Sequence, residues 1–517
     1  MGHAALAGAR QDLFDTTLDW SLAFLDRDRH LVWNPSWYDA KIPTRTVHLT
    51  PNSAWVAYGL LSRGDPWSVT EARDILRAVM DLQYTAPDAA HDGTYARFAE
   101  SPEPGAGAVA WQDFDHNWRQ FVGTTFALIL EDFPAALPSD LASQMEQSVE
   151  RACRGEPAGR IALDYTNPAL MHAWMTAWYG RRSGDVSLYR RGHEFAAALA
   201  ARFDELGGFA EWNSPTYYGM DLFALALWRE LPPDDLFRAE GARLASALWA
   251  ETAERYHPRL RNWCGPYGRS YGPDATRSVT LLGLWHWAAW GRARAPLPSI
   301  GEIVDVGANH ASAAAEEARL VAESHCRPAG AEGSHGENAE IHHSNDLMAG
   351  PLIARLAPQA PGREPELAGE RMLRRHVGPR RFDSWLGPSL MLGAESVETD
   401  WQGSGQAAVF TAHWSEPNGV ATLWLSGPRR LLASVSPYHV ELEQTAGETP
   451  LRFKASGLRP RVSANVLSTQ AMRVRFGGGV TALEVRAVTS PGAPEEIEIV
   501  PQADGRRTLS LEWEAAG

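Results

Sequence analysis

The chain has 517 residues, 44% hydrophobic and 21% charged, with 48 basic against 63 acidic side chains and a formal net charge of -15. That length exceeds what one core usually holds, so two domains are expected. The acidic balance excludes nucleic acid and anionic membrane as general partners, because phosphate binding needs a basic face. Three distant cysteines, Cys153, Cys264 and Cys326, exclude a disulfide framework and a zinc knuckle and read as buried thiols. The opening residues lack a charged-then-apolar leader and no segment is apolar for long enough to span a bilayer, so a cytoplasmic location is expected.

From Gln11 to about Arg294 the sequence reads as amphipathic helices with short Gly, Pro or Asp punctuation. Asn117–Asp132, Asn167–Tyr179, Leu188–Leu206, Tyr217–Glu230 and Leu236–Tyr256 repeat apolar residues at three and four positions. Tyr58-Gly59 and Tyr179-Gly180 read as helix stops, Ser139-Asp140 and Asp234-Asp235 as helix starts. Paired helices of this kind close into an (α/α) toroid, expected over residues 1–295. Residues 296–345, rich in Ala, Glu and His, are expected to link the two halves and to cap a cleft. Residues 346–517 are expected to form an antiparallel β-sandwich: Ala407–His413, Val420–Leu425, Met472–Phe476 and Leu509–Glu514 have strand length and patterning. Pro417-Asn418-Gly419, Gly477-Gly478-Gly479 and Asp504-Gly505 mark turns between strands. The fold class is thus α+β, multidomain.

Of 21 tryptophans, 16 precede Pro296. Flat indole faces suit sugar rings, which makes Trp118, Trp174 and Trp212 candidate substrate contacts. Between two helices, Gly207–Asp221 (GGFAEWNSPTYYGMD) gathers acids, amides, hydroxyls and two tyrosines. A helix connection this polar and aromatic is expected to face a cleft.

Its Gly-Gly-Phe, followed by Glu211, Ser214-Pro215 and Tyr217, resembles the stretch bearing the catalytic tyrosine in the heparinase II/III and alginate lyase families, which share a helical toroid followed by a β-sandwich. Asn167 matches the asparagine that neutralises the uronate carboxylate in such lyases, and Gly265–Gly272 (GPYGRSYG) resembles the arginine-bearing turn of the chondroitin AC, hyaluronate and xanthan lyase family. The resemblance implies a lyase that cleaves a uronate-containing saccharide by β-elimination without a cofactor. Asn167 and Arg269 would stabilise charge on the carboxylate, and Tyr217, or Tyr218 as second choice, would move the protons with a pKa lowered by nearby cations. Asn213, Tyr267 and Tyr271 would line the substrate. Where the family places histidines this chain has Pro168 and Trp212, leaving His116 or His172 as substitutes.

Two other readings compete. Glu211 or Asp221 as general acid would suit a glycoside hydrolase, an isomerase or a small-molecule cyclase, with Asp113 and Asp115 as further acids. A glycan-binding protein without chemistry would use the tryptophans alone. His325, His335, His342 and His343 lack metal-ligand spacing; His342 and His343 are expected near substrate on the capping loop, and Tyr438-His439 could reach the cleft from the β half.

Overall fold

The computed structural model describes residues 6–34, 47–298, 344–358, 369–397, 406–426, 431–444, 451–488, 496–503 and 508–516. The helices are α1 (Ala9–Leu22), α2 (Thr50–Arg63), α3 (Pro66–Asp81), α4 (Trp118–Asp132), α5 (Ser139–Arg154), α6 (Thr166–Ser183), α7 (Val186–Leu206), α8 (Tyr218–Glu230), α9 (Asp235–Arg255), α10 (Leu281–Trp290) and α11 (Gly350–Leu356). Short strands β1 (Leu25–Asp26), β2 (Leu31–Asn34) and β3 (Val47–Leu49) form a small sheet, and β4 (Tyr256–His257) pairs with β5 (Asn262–Trp263). No described helix is long and apolar enough to cross a membrane.

Burial separates the helices into two layers. In α2, α4, α6, α8 and α10 almost every residue is buried, as in the run Thr166–Gly180 of α6. In α3, α5, α7 and α9 the buried residues recur at three and four positions, as with Leu141, Met145, Val149 and Ala152 of α5. A helix buried all round needs neighbours on every side, and these five have them. They are joined by α1: α2 packs on α4, α4 on α6, α6 on α8, α8 on α10, α10 on α1 and α1 on α2. The one-sided helices lie outside as partners in the hairpins α2–α3, α4–α5, α6–α7 and α8–α9. Caps set the ends: Asp65, Asp185 and Asp234 accept backbone N–H groups at helix starts, and left-handed Gly64, Gly184 and Gly207 close α2, α6 and α7.

Two expectations change here. Tyr58-Gly59 and Tyr179-Gly180 lie within helices, not at their ends. A Cβ on Gly59 would press on Leu18 and Pro351, and one on Gly180 would collide with the Tyr189 backbone, so these glycines permit close helix approach. Ser344–Leu356 is helical, where β structure is expected from 346. Gly350-Pro351 opens α11, whose residues Leu352, Ile353 and Leu356 are buried against α1, α2, α8 and α10.

The strands that follow are β6 (Arg371–Val377), β7 (Arg380–Leu386), β8 (Leu390–Val397), β9 (Ala408–Glu416), β10 (Gly419–Ser426), β11 (Leu431–Ser436), β12 (His439–Gln444), β13 (Phe453–Ser456), β14 (Arg461–Ser463), β15 (Val466–Ser468), β16 (Met472–Phe476), β17 (Val480–Val488), β18 (Glu496–Ala503) and β19 (Thr508–Ala515). They make an eight-stranded antiparallel sheet, β17-β18-β13-β10-β9-β8-β7-β6, and a six-stranded one, β11-β12-β19-β16-β15-β14. Phe410, Phe453, Phe476 and Trp513 join the two in one core. The turn at Pro417-Asn418 pairs Glu416 with Gly419 as expected from its sequence. Asp504-Gly505 lies outside the described residues.

β16 alternates buried with exposed residues, whereas β8 is buried throughout, because the helical half covers the outer face of the large sheet there. The contact is made by residues 206–213 and 257–270. Tyr267 and Ala408 exchange backbone hydrogen bonds of 2.9 Å. Buried Arg380 holds Glu395 at 2.7 Å and donates to the Ala210 carbonyl. Gly265 crosses Gly393 so closely that a Cβ on Gly393 would collide with the Gly265 carbonyl. Gly393→Ala is therefore expected to destabilise the fold by about 1–3 kcal/mol, read as a lower midpoint in urea denaturation.

Buried histidines add a pH dependence. His286 is enclosed by Trp249, Tyr256, Trp263 and Trp290, and among the described residues neither ring nitrogen has a hydrogen-bond partner. Burial pushes it down to about 3. Burial likewise pushes His413 down to about 3 and His172 to about 4. An unfolded histidine binds a proton below about 6.5 while these do not. Stability is thus full above that pH and falls as pH drops toward the folded values. His286→Phe is expected to flatten the decline by about 1.4 kcal/mol per pH unit between pH 6 and 4, measured by urea melts; an unchanged slope would exclude His286 as a source.

Candidate functional site

Three segments meet beside the large sheet: the connection 207–217 into α8, the turn 265–272, and the start of α6. Gly268 lets the first two touch. Its N–H donates to the Trp212 carbonyl at 2.8 Å, and a Cβ there would press on the Trp212 backbone. Ser214 Oγ donates to the Arg269 carbonyl at 2.6 Å and accepts the Tyr217 N–H at 3.0 Å, fixing both residues.

Arg269 is the centre. Its guanidinium donates to Glu211 Oε1 at 2.6 Å and to Gln406 Oε1 at 2.8 Å, and lies 4.0 Å from the Tyr217 ring centre and 5.3 Å from that of Tyr165. The Tyr217 and Tyr271 hydroxyls are hydrogen-bonded to each other, and Tyr271 is 43% exposed, so the phenol pair opens to solvent on the Tyr271 side. Behind Arg269, Glu211 Oε2 accepts from Thr166 Oγ1 at 2.7 Å and from Asn167 Nδ2 at 3.4 Å. Asp221 lies 3.4 Å from the same Thr166 hydroxyl, with its other oxygen buried and, among the described residues, unpartnered.

The charges sort these groups. Burial, with Glu211 beside it, drives Asp221 well above the usual carboxylate range. Burial lowers the Arg269 pKa, but Tyr217, Glu211 and Tyr271 more than offset it, so the net shift is upward and the cation is permanent. Tyr217 differs from its expectation. Burial and Tyr271 raise it well above an ordinary phenol, outweighing the lowering by Arg269.

The structure brings Asn167, Glu211, Tyr217, Arg269 and Tyr271 together and takes other expected residues elsewhere. Tyr218 is buried on the opposite side and donates to Glu251 Oε2 at 2.9 Å. Trp174 is fully buried with its N–H on the Leu231 carbonyl, and Trp212 is enclosed by Arg255 and Phe382, so neither indole offers a face to a sugar. Trp118 packs on Phe121. Asn213 donates to the Cys264 and Pro266 carbonyls, and Tyr267 is buried against Trp263 and His413; both hold the turn instead of facing solvent. His116 contacts Arg119 through Nδ1, and burial, then Arg160 and Arg119, push it down to about 4. His172 lies beside Thr176 and Phe195 in the core. Among the described residues no histidine is hydrogen-bonded to Glu211, Tyr217 or Arg269. Tyr438 packs against Trp385 in the β half at a tilted angle. His342, His343, His325 and His335 lie outside the described residues.

Several neighbours of the site are absent from the sequence expectations: Tyr165, Asn117, Thr166, Gln406 and Trp111. Trp111 carried a signal, its place in the aromatic segment WQDFDHNWR. It is 59% exposed, has a left-handed backbone (φ 68) and lies 6.5 Å from the Tyr165 ring. A groove of about 730 Å³ between α3 and α5, lined by Arg77, Gln83, Gln147 and Arg151 among others, does not include these residues. Among the described residues no three His, Cys, Asp or Glu side chains are grouped to hold a metal ion.

The chain is similar in outline to several solved structures. Heparinase III shares 11% identity at a TM-score of 0.46, covering 99% of this chain and 85% of that one. The chondroitin AC lyase of Streptomyces coelicolor A3 in complex with chondroitin sulphate shares 10% at 0.41, covering 100% and 81%. The cellulase Cel9M of C. cellulolyticum shares 8% at 0.33, covering 68% and 99%. No curated protein matches the chain. The family described as Domain of unknown function (DUF8769) matches residues 11–322, more than half of the sequence, and the chain belongs to that family.

Proposed function

We propose that this chain is a carbohydrate-active lyase that cleaves a uronate-containing poly- or oligosaccharide by β-elimination at Tyr217, Tyr271 and Arg269. The observation that supports it best is the accessible phenol pair against a permanent cation. The carboxylates Glu211 and Asp221 lie behind Arg269 and are buried, whereas Tyr271 is exposed and Tyr217 half-buried beside it.

In the reaction, loss of one proton from the phenol pair leaves an anion held by the remaining O–H and by Arg269. That anion takes the proton from C5. The C5–H electrons become the C4=C5 double bond, the C4–O bond breaks, and Tyr217 returns a proton to the leaving oxygen. Charge developing on the uronate carboxylate is stabilised by Arg269 and neighbouring amide and hydroxyl donors. Because Tyr217 is raised, the reactive anion becomes more abundant as pH rises, so kcat/KM is expected to increase with pH above neutrality.

A second reading has its own support: Asp221, its proton affinity raised by burial, shares the Thr166 hydroxyl with Glu211, so two carboxyl groups meet at one point. That arrangement suits a hydrolase, isomerase or cyclase, with activity falling as pH rises. The two are separated by incubating the protein with a panel of uronate polymers and following the ultraviolet absorbance of the unsaturated product. Tyr217→Phe is expected to lower turnover by about 100-fold or more. Turnover that survives Tyr217→Phe and is lost in Glu211→Gln would replace elimination with the carboxylate chemistry.

A further inference from the structure

Beside Arg269 runs a chain of hydrogen bonds with a fixed direction. Glu156 holds the Arg160 guanidinium through two contacts, one of 2.9 Å to Oε2 and one from Nε to Oε1. Arg160 donates to Asn117 Oδ1 at 3.0 Å. A guanidinium has only donors, so this contact settles the orientation of the Asn117 amide: its oxygen faces Arg160 and its NH2 faces the other way. There Nδ2 donates to the Tyr165 hydroxyl oxygen at 2.6 Å. An oxygen that accepts from Asn117 must send its own hydrogen elsewhere, and among the described residues none accepts it. Tyr165 is half-buried, with Arg269 over one side of its ring and exposed Trp111 against an edge. Burial raises its pKa, and Asp115 and Glu211 act the same way against Arg269, so the hydroxyl keeps its proton.

We propose that Tyr165 is a substrate-contacting residue wired as a hydrogen-bond donor, that its partner is an oxygen of the uronate carboxylate, and that Asn117 is the positioning residue that sets its direction. The identity of that partner rests on the elimination reading; the wiring does not. A phenol able to turn either way would serve a sugar hydroxyl as readily as a carboxylate. One whose accepting side is filled by Asn117 discriminates for acceptors, and an anionic acceptor gains most.

The test reads binding and needs no turnover. D-glucuronate, D-galacturonate and D-mannuronate are titrated against wild type by tryptophan fluorescence, with D-glucose, D-galactose and D-mannose as neutral controls. At least one uronate is expected to bind more tightly than its neutral parent. Tyr165→Phe is expected to weaken that uronate about 10-fold to 100-fold and to leave the neutral sugar within about twofold. Asn117→Asp presents oxygens to both neighbours, so it accepts from Arg160 and draws the Tyr165 hydrogen to itself. It is expected to reproduce the loss. The new charge could also repel the ligand, and the double variant separates the two: if Asn117→Asp acts by turning Tyr165, adding Tyr165→Phe costs little more.

Additive losses, an undiminished preference in Tyr165→Phe, or equal binding of all three uronates and their neutral parents by wild type would each overturn the proposal. If Asn117→Asp does not fold, the Tyr165→Phe preference decides alone. Absence of unsaturated product with uronate selectivity lost in Tyr165→Phe would reject the elimination chemistry and keep the wired donor.

Discussion

The docking of one backbone segment on one sheet governs the rest of this molecule. Residues 264–270 pass over β8 and β9 at a separation that only glycines at 265 and 393 permit, and Tyr267 pairs with Ala408 as a further strand residue would. Because this segment also carries Arg269, the contact that joins the two halves places the cation. Gln406, just before β9, completes its hydrogen bonding from the β side. The site is therefore built at the junction between the halves, as many ligand sites are.

Arg269 in turn organises its surroundings by having more partners than one charge can neutralise. Glu211 balances it electrostatically, and two aromatic faces and two phenols share what is left. A buried ion pair of this kind is costly to break, because either partner alone is an uncompensated charge. Thr166 and Asn167 hold Glu211 from the α6 side, so the position of Arg269 is fixed from three elements distant in sequence.

The helices were legible because burial on one face, or on all faces, leaves a spacing that sequence displays; α4 and α6 to α9 match their expected spans within a few residues, and α5 starts where expected. The strands β9, β10, β16 and β19 were legible for the same reason. Glycines were harder. Gly59 and Gly180 look like caps because a cap and a close helix approach ask for the same missing Cβ, and the distinction lies in the partner helix. Composition could not divide the tryptophans either: Trp174 and Trp111 are chemically identical, and only one is outside. In the site, the motif grouping of Tyr217 with Arg269 was readable. The direction of the Tyr217 shift was not, since counting a nearby cation omits the burial that opposes it. Tyr165 and Asn117 belong to separate loops, and their pairing has no local signature.

The position of α11 has a bearing on how the chain is made. Arg10, in the first turn of α1, donates to the carbonyl of Ala354, and the residues between them include every other helix of the ring. On a ribosome, the buried faces of α1 and α2 emerge first and their covering segment last. Until then the apolar faces that Gly350–Leu356 covers, with Leu18 and Trp55 close to it, lack their partner. Synthesis must carry the chain past Leu356, well beyond the outer hairpins, before α1 finds its complete environment, so the closing contact of the ring is among its most distant in sequence.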